Sequence, residues 1–295
     1  MNVSRRTLVK AALSAATAAG LAPSTLISAE AARGPGDSRS AMKLGLVTYN
    51  LAKDWTIDTI IKNCEEARFE GVELRTTHAH GVEVSLNAAQ RTEVRKRFAD
   101  SRVELMGLGS AFDYHTPDQA KLRQDIQASK DYILLAHDVG ASGVKVRPNG
   151  LPKEVPVERT LEQIGRSLRE LGGFGKDYGI QIRLEVHGQG TSLLPHIRRI
   201  MDVAGHPNVG VCWNSNQTDL DGAGFEANFN SVKAQIFSVH MRDLYLEEYP
   251  FRKLLQGLQS IAFHGFCLAE IPESKDPLRV MRYFRGLWLA YQGLA

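Results

Sequence analysis

The chain has 295 residues, 43% of them hydrophobic and 23% charged, with a formal net charge of +3 at pH 7. This is globular composition, with length for one large domain or two small ones. The near-neutral balance speaks against a nucleic-acid or anionic-membrane partner, and the three cysteines, Cys64, Cys212 and Cys267, form no CxxC-like pair that would indicate a disulfide framework or a thiolate cluster.

In chain order the first element is a targeting segment. "SRRTLVK" followed by "AALSAATAAGLAPSTLISAEA" reads as a charged n-region, an Ala-rich h-region and a small-residue cleavage site. Arg5 and Arg6 resemble a twin-arginine export signal, so residues 1–31 are expected to be cleaved near Ala31 and the mature protein to be periplasmic or extracellular. The plainer alternative, an amphipathic or unstructured extension, does not account for the order of arginine pair, Ala-rich stretch and Ala29-Glu30-Ala31. Cleavage removes Arg5, Arg6, Lys10 and Glu30, which lowers the formal charge by two, to +1. No later apolar run is long enough to span a bilayer, so no stable membrane insertion is expected after cleavage. Residues 32–42, with the Gly/Ser/Pro-rich "GPGDSRSA", read as a linker to a domain over 43–295.

Strand-like runs follow at "KLGLVTYNL" (43–51), "GVELR" (71–75), "VELMGLG" (103–109), "GVKVRP" (143–148), "IQIRLEVHG" (180–188), "VGVCWN" (209–214), "IFSVHMRD" (236–243) and "GFCLAEIPE" (265–273). Segments of helical period lie between them, among them "IDTIIKNCEEARF", "LNAAQRTEVRKRFADS", "KLRQDIQASKDYILLAHDVG", "VERTLEQIGRSLRELGGFGKDYG" and "LLPHIRRIMDVAG". Strand starts fall roughly 30 residues apart, the length of a βαβ unit. Eight strands each followed by a helix, with Gly71, Gly143 and Gly179 read as helix-closing glycines, predict one α/β fold, a single (β/α)8 TIM barrel. An open doubly wound sheet is the alternative, but no GxGxxG turn follows the first strand. "TDLDGAGFEANFNSVKAQ", after the sixth strand, is the weakest helix of the set and is read as partly loop.

Barrel active sites are built at the C-terminal ends of strands. There the fifth run carries Glu185 and His187, the sixth Asn214 with Gln217 three on, the seventh His240 with Arg242 and Asp243, and the eighth Glu270. A charge in an apolar strand is costly unless paired or coordinated, which singles out Glu185 and Glu270. Glu185, Asn214, His240 and Glu270, one per successive strand at one level, offer three oxygens and an imidazole, a set that suits Mn²⁺, Mg²⁺ or Co²⁺ better than a thiolate-type zinc site. Any one of them alone would more simply be an ion-pair partner. Glu73 reads as a structural ion pair with Arg75, Trp213 as facing the helix layer, and His78, His80 and His115 as solvent-facing loop residues.

The order and spacing of "GVELR", "LEVHG", "VCWNSNQ", "SVHMRD" and "FHGFCLAEIPE" resemble the xylose isomerase-like barrel superfamily, with its tagatose and psicose 3-epimerases and its endonuclease-four type AP endonucleases. The resemblance implies that Glu185 and Glu270 are metal-binding and proton-transferring, that His240 binds the metal, that His187 faces the substrate, and that Arg242 and Asp243 orient ligand or loop. It breaks at one place. Where the family carries Asp-x-x-His after the sixth strand, this chain has Asn214-Ser215-Asn216-Gln217. An amide oxygen can still ligate a hard cation, so weaker metal binding is expected, with Gln217 offering hydrogen bonds to a sugar hydroxyl.

These parts imply proton abstraction next to a carbonyl through a metal-stabilised enediolate, acting on a small sugar or sugar derivative. A keto-sugar glycoside lyase or hydratase using the same site, and a non-catalytic sugar-binding barrel suggested by the two carboxamides, are the rival readings. An AP endonuclease is disfavoured by the export signal, the charge and the lack of further Asp and His ligands for a three-zinc cluster. "DPLRVMRYFRGLWLAYQ" is an amphipathic C-terminal helix that would pack on the barrel or on a second copy, leaving a homo-oligomer open.

Overall fold

The computed structural model describes residues 40–295; the expected signal peptide and residues 32–39 of the linker lie outside the described residues. Strands β1 (Lys43–Val47), β2 (Gly71–Arg75), β3 (Glu104–Asp113), β4 (Gly143–Arg147), β5 (Gln181–Glu185), β6 (Val209–Asn214), β7 (Ile236–Met241) and β8 (Phe266–Ala269) close into one barrel in chain order. Every pairing is parallel, and β8 returns to β1 with Lys43 opposite Phe266. Helices α1 (Ile57–Ala67), α2 (Ala88–Ala99), α3 (Gln119–Val139), α4 (Val157–Asp177), α5 (Leu194–Ala204), α6 (Phe225–Val232), α7 (Phe251–Ser260) and α8 (Pro277–Tyr291) follow the strands one by one. The (β/α)8 expectation is met.

Strand side chains alternate between two faces, and here the two faces differ in chemistry. Leu44 and Leu46, Val72 and Leu74, Val144 and Val146, Ile182 and Leu184, Val211 and Trp213, and Val239 and Met241 join the large apolar core. The other parity turns to the barrel axis. It holds a small separate apolar cluster of Val47, Met106, Phe266 and Leu268, and beside that it carries Glu73, Lys145, Arg183, Glu185 and His240, all buried.

Glycine roles differ from the reading above. Gly71 and Gly143 open strands and do not close helices: a Cβ on Gly71 would collide with the Phe266 ring, and one on Gly143 would lie 2.6 Å from Arg183 Cζ. The glycines that cap helices in the left-handed region are Gly140 after α3, φ 83°, and Gly205 after α5, φ 50°; α1 ends likewise on Arg68, φ 58°. Gly179 does stand just past α4, at φ 70°.

Several strands stop short of their apolar runs. β1 ends at Val47, β5 at Glu185 and β8 at Ala269; the next residue of each still donates its N–H to the neighbouring strand, and the chain then spreads into the loops of the barrel mouth. After β6 the weak helix resolves into a 3-10 turn (Gln217–Leu220), α6 and a second 3-10 turn (Lys233–Gln235), with Gly222 and Gly224 at positive φ between the first two. The three cysteines are free and buried. The amphipathic α8 packs on its own barrel, burying Met281, Phe284 and Trp288, with the Phe284 ring 6.4 Å from that of Phe69.

Candidate active site and metal centre

Glu185 ends β5, Asn214 ends β6, His240 stands one residue before the end of β7, and Glu270 follows β8 with its N–H donated to Met241 O at 2.8 Å. Along the ladder Asn214 and His240 are level, directly opposite each other, while Glu185 lies opposite Cys212 and His240 opposite Leu268, so the two glutamates are staggered from them. Strand tilt, which every closed barrel requires, brings the tips together. One ligand atom from each of Glu185, His240 and Glu270 lies within 4.8 Å of the others, and Asn214 Nδ2 is 3.4 Å from Glu185 Oε1.

His240 is almost wholly buried, at 1% exposure, yet neither ring nitrogen has a hydrogen-bond partner. Its Nδ1 faces Glu185 Oε1 at 3.6 Å and Glu270 Oε2 at 3.8 Å. A buried, orphaned imidazole nitrogen aimed between two carboxylates is the arrangement a divalent ion completes. On the other side of the ring, Nε2 lies 3.3 Å from Oε1 of Glu73, a carboxylate placed to orient a ligating histidine. Glu73 is therefore not the ion-pair partner of Arg75; it is fully buried on the barrel axis, where it lines the mouth cavity, on the opposite parity from the apolar Val72 and Leu74.

Lys145 is the second occupant of this polar interior. Its Nζ donates to Glu185 Oε2 at 2.7 Å, with Ser110 O at 3.4 Å. Burial alone would raise the Glu185 carboxyl, but the adjoining ammonium and His240 outweigh it and hold Glu185 well below the usual carboxylate range. Glu270 moves the other way: burial raises it, and His240 offsets this only in part. The site thus sets two carboxyls with opposite tendencies across one space. Since Lys145 engages Oε2, Glu185 Oε1 is left to face His240 and Asn214. Two carboxylates, an imidazole and a carboxamide then fit a hard or borderline divalent cation.

A family model described as xylose isomerase-like TIM barrel matches residues 61–286, more than half of the chain. The chain belongs to the xylose isomerase-like TIM barrel family. No curated protein matches it in sequence. Among solved structures, a protein described as IOLI with a binding zinc atom is 16% identical at TM-score 0.71, over 84% of this chain and 98% of that one. The 3-keto-D-glucoside 4-epimerase YcjR from E. coli is 15% identical at TM-score 0.70, over 84% and 99%. An L-ribulose 3-epimerase is 15% identical at TM-score 0.71, over 84% and 95%. At such identities the likeness is one of fold.

In this xylose isomerase-like barrel the expected site residues fall into two groups. Glu185, His187, Asn214, Arg242 and Glu270 line one cavity of about 270 Å³ at the mouth, with His240 buried immediately beneath. His187, lowered from its ordinary pKa by burial, has Nδ1 3.0 Å from Asn149 Oδ1. Gln217 is outside this group: it begins the 3-10 turn, is exposed and does not line the cavity. Its neighbour Asn216 points back, donating Nδ2–H to Val186 O at 2.6 Å. Asp243 lies in an adjacent groove with Leu244 and Tyr245.

Trp213 does face the helix layer, edge-on to Phe225 and Phe229, with Nε1–H donated to Tyr249 Oη at 2.9 Å. His80, against expectation, is buried: its Nε2 is 2.8 Å from Arg75 O and its Nδ1 accepts from Val82 N at 3.0 Å, so it shapes the loop after β2. His78 and His115 are half-buried, held by Thr48 at 3.1 Å and Asp113 at 3.1 Å, and neither lines the cavity.

In this family member, Lys145 and Arg147 are passed over by sequence reasoning, and Glu73 and Arg75 enter it only as an ion pair with each other. A signal for all four exists. "GVELR" and "GVKVR" are one pattern used twice, with glycine at the barrel base, an opposite charge in the middle and arginine at the mouth, on strands β2 and β4. Alternate strands of such a barrel contribute side chains to a common layer, so Glu73 and Lys145 belong together.

Proposed function

We propose that this protein is a metal-dependent sugar isomerase or epimerase that moves a proton at a carbon next to a carbonyl. The observation that carries this is the convergence of Glu185, His240 and Glu270 within 4.8 Å, with Asn214 beside them, at the floor of a mouth cavity. Glu185, His240, Glu270 and the Asn214 carboxamide would hold a divalent ion, whose contribution is Lewis-acid polarisation of the substrate carbonyl. Mn²⁺, Mg²⁺ and Co²⁺ suit these donors. The epimerases among the structurally similar proteins support the class of chemistry.

The protein's own groups divide the remaining work. Glu185, kept ionised by Lys145, removes the proton through its cavity-facing oxygen. Glu270, held toward its protonated form by burial, returns one. Return to the same carbon from the opposite face gives an epimer, and return to the neighbouring carbon gives an aldose–ketose isomer. His187 and Arg242 hydrogen-bond to substrate hydroxyl or carbonyl oxygens at the wall. The arginine pair and Ala-rich segment at the N-terminus support export, so the protein is proposed to act in the periplasm or outside the cell.

The test is incubation of metal-loaded protein with free and 3-keto sugars in D₂O, followed by NMR, beside metal analysis of wild type and Glu185→Gln. Deuterium at one carbon with the skeleton retained is expected, with the variant losing both exchange and metal. An unsaturated product would reassign the site to a lyase. Absence of both bound ion and turnover would leave only a sugar-binding barrel.

A further inference from the structure

Around the mouth of the cavity stand three guanidinium groups. Arg75 ends β2, Arg147 ends β4, Arg242 follows β7, and all three line the same space. Each is anchored to backbone: Arg75 donates to Thr76 O at 3.1 Å, Arg147 to Ala111 O at 3.0 Å and Arg242 to Ser215 O at 2.9 Å. Arg75 also lies over the Tyr49 ring, 5.2 Å from its centroid. Among the described residues, none of the three has a carboxylate oxygen within 4.0 Å. Arg147 Nε and Arg242 Nη2 are buried donors without any partner.

Elsewhere on the barrel this chain pairs its arginines readily: Arg91 with Asp138, Arg97 with Asp58 and Glu93, Arg166 with Glu162, Arg198 with Asp202, and Arg199 with Glu158. Of the carboxylates at the mouth, Glu185 is engaged by Lys145, while Glu73 and Glu270 face His240 at 3.3 and 3.8 Å and not an arginine. Backbone anchoring fixes where the arginines point without neutralising them. A neutral sugar gives no reason to keep three guanidinium groups with no carboxylate within 4.0 Å, two of them with buried donors left unpaired, about a cavity of this size. An oxyanion does, since the guanidinium fork matches carboxylate and phosphate geometry and charge-assisted hydrogen bonds are the strong ones.

We propose that the substrate is an anionic sugar derivative whose carboxylate or phosphoryl group is bound by this arginine rim. The word sugar rests on the isomerase or epimerase reading; the requirement for a negative charge rests on the rim alone. The cavity, at about 270 Å³, lies just under the usual lower bound for small-molecule sites of about 300 Å³, which favours a single sugar unit. A carboxylate agrees with an exported enzyme, and a phosphoryl group would count against export.

Calorimetric titration of the full chain with matched pairs tests this: D-glucuronate against D-glucose, D-galacturonate against D-galactose, and glucose 6-phosphate against glucose. At least one anionic member is expected to bind about ten-fold or more tightly than its neutral counterpart, as one charge-assisted hydrogen bond supplies. That margin should shrink at high salt. Arg147→Gln or Arg75→Gln should erase it while leaving the neutral sugar's affinity in place, and the matching Arg→Lys variant should restore part of it. Circular dichroism confirms that each variant is folded. No margin in any pair, or a margin that survives both substitutions, overturns the proposal. Binding is read here without turnover, so a lost margin with intact deuterium exchange refutes the anionic substrate alone. A clear margin with no exchange refutes the enzymatic reading alone.

Discussion

Asp219 illustrates what a single buried residue does away from the chemistry. It sits in the 3-10 turn after β6, fully buried, accepting Tyr249 O–H at 2.6 Å and Asn216 N–H at 3.1 Å on Oδ2, while Oδ1 has no partner. Burial pushes its carboxyl up to about 7, against the opposing hydrogen bonds. A carboxyl raised in the folded state binds more protons there than in the unfolded chain. Its stabilising contribution is therefore complete below the unfolded value of 3.8 and is lost as pH rises through about 7. Asp219→Asn carries no such titration. Thermal melts across about pH 5 to 8 should show wild type losing Tm relative to the variant as pH rises, and a constant offset would contradict the burial argument. Glu185, His240 and Glu270 were legible at this scale because each interrupts an apolar strand. Lys145 was not, since it stands two residues before the end of its strand and only the Glu185 carboxylate across the interior explains it. Gln217 misled because spacing from Asn214 says nothing of a 3-10 turn that carries the side chain outward.

At the scale of elements, α4 contains its own controlled comparison. Gly165 and Gly173 lie in the same helix and carry the same backbone liability. A Cβ on Gly165 would lie 2.6 Å from Val203 Cβ and 2.8 Å from Ile200 O, so this glycine sets the close approach of α4 to α5. A Cβ on Gly173 meets nothing within 4 Å. Gly165→Ala is expected to destabilise by about 1–3 kcal/mol through overpacking. Gly173→Ala should stabilise by about 0.5–1 kcal/mol through helix propensity and a less mobile unfolded chain. Urea midpoints moving in opposite directions at equal m-value would bear this out; two shifts of the same sign would not. Helical period located α4, but which glycine touches a neighbour depends on the interhelical distance, and local sequence holds no record of that. The same limit explains Gly71 and Gly143, read as helix ends and found at strand starts, where a side chain from another strand fills the space.

For the molecule as a whole, the main apolar core is a ring between strands and helices, while the axis carries charged side chains beside a small apolar cluster. Glu73, Lys145, Arg183, Glu185 and His240, each at 6% exposure or less, tie β2, β4, β5 and β7 together. Removing Lys145 leaves Glu185 buried beside Glu73 and Glu270 without its cation. Breaking a buried pair in this way costs about 3–5 kcal/mol. Lys145→Met should therefore lower the urea midpoint strongly, with the loss shrinking in acid as Glu185 is protonated; a change below about 1 kcal/mol would mean the pair is solvated and peripheral. The sequence alone was sufficient for the barrel and for three of its metal-centre candidates, because strand and helix periodicity, the count of βα units and a charge inside an apolar strand are all local properties. Only the closed barrel decided that Glu73 orients His240, that Lys145 holds Glu185, and that three arginines face the cavity without a carboxylate. These are contacts between residues on different strands, β2 with β7 and the neighbours β4 with β5, set by tilt and stagger, which no window along the sequence contains.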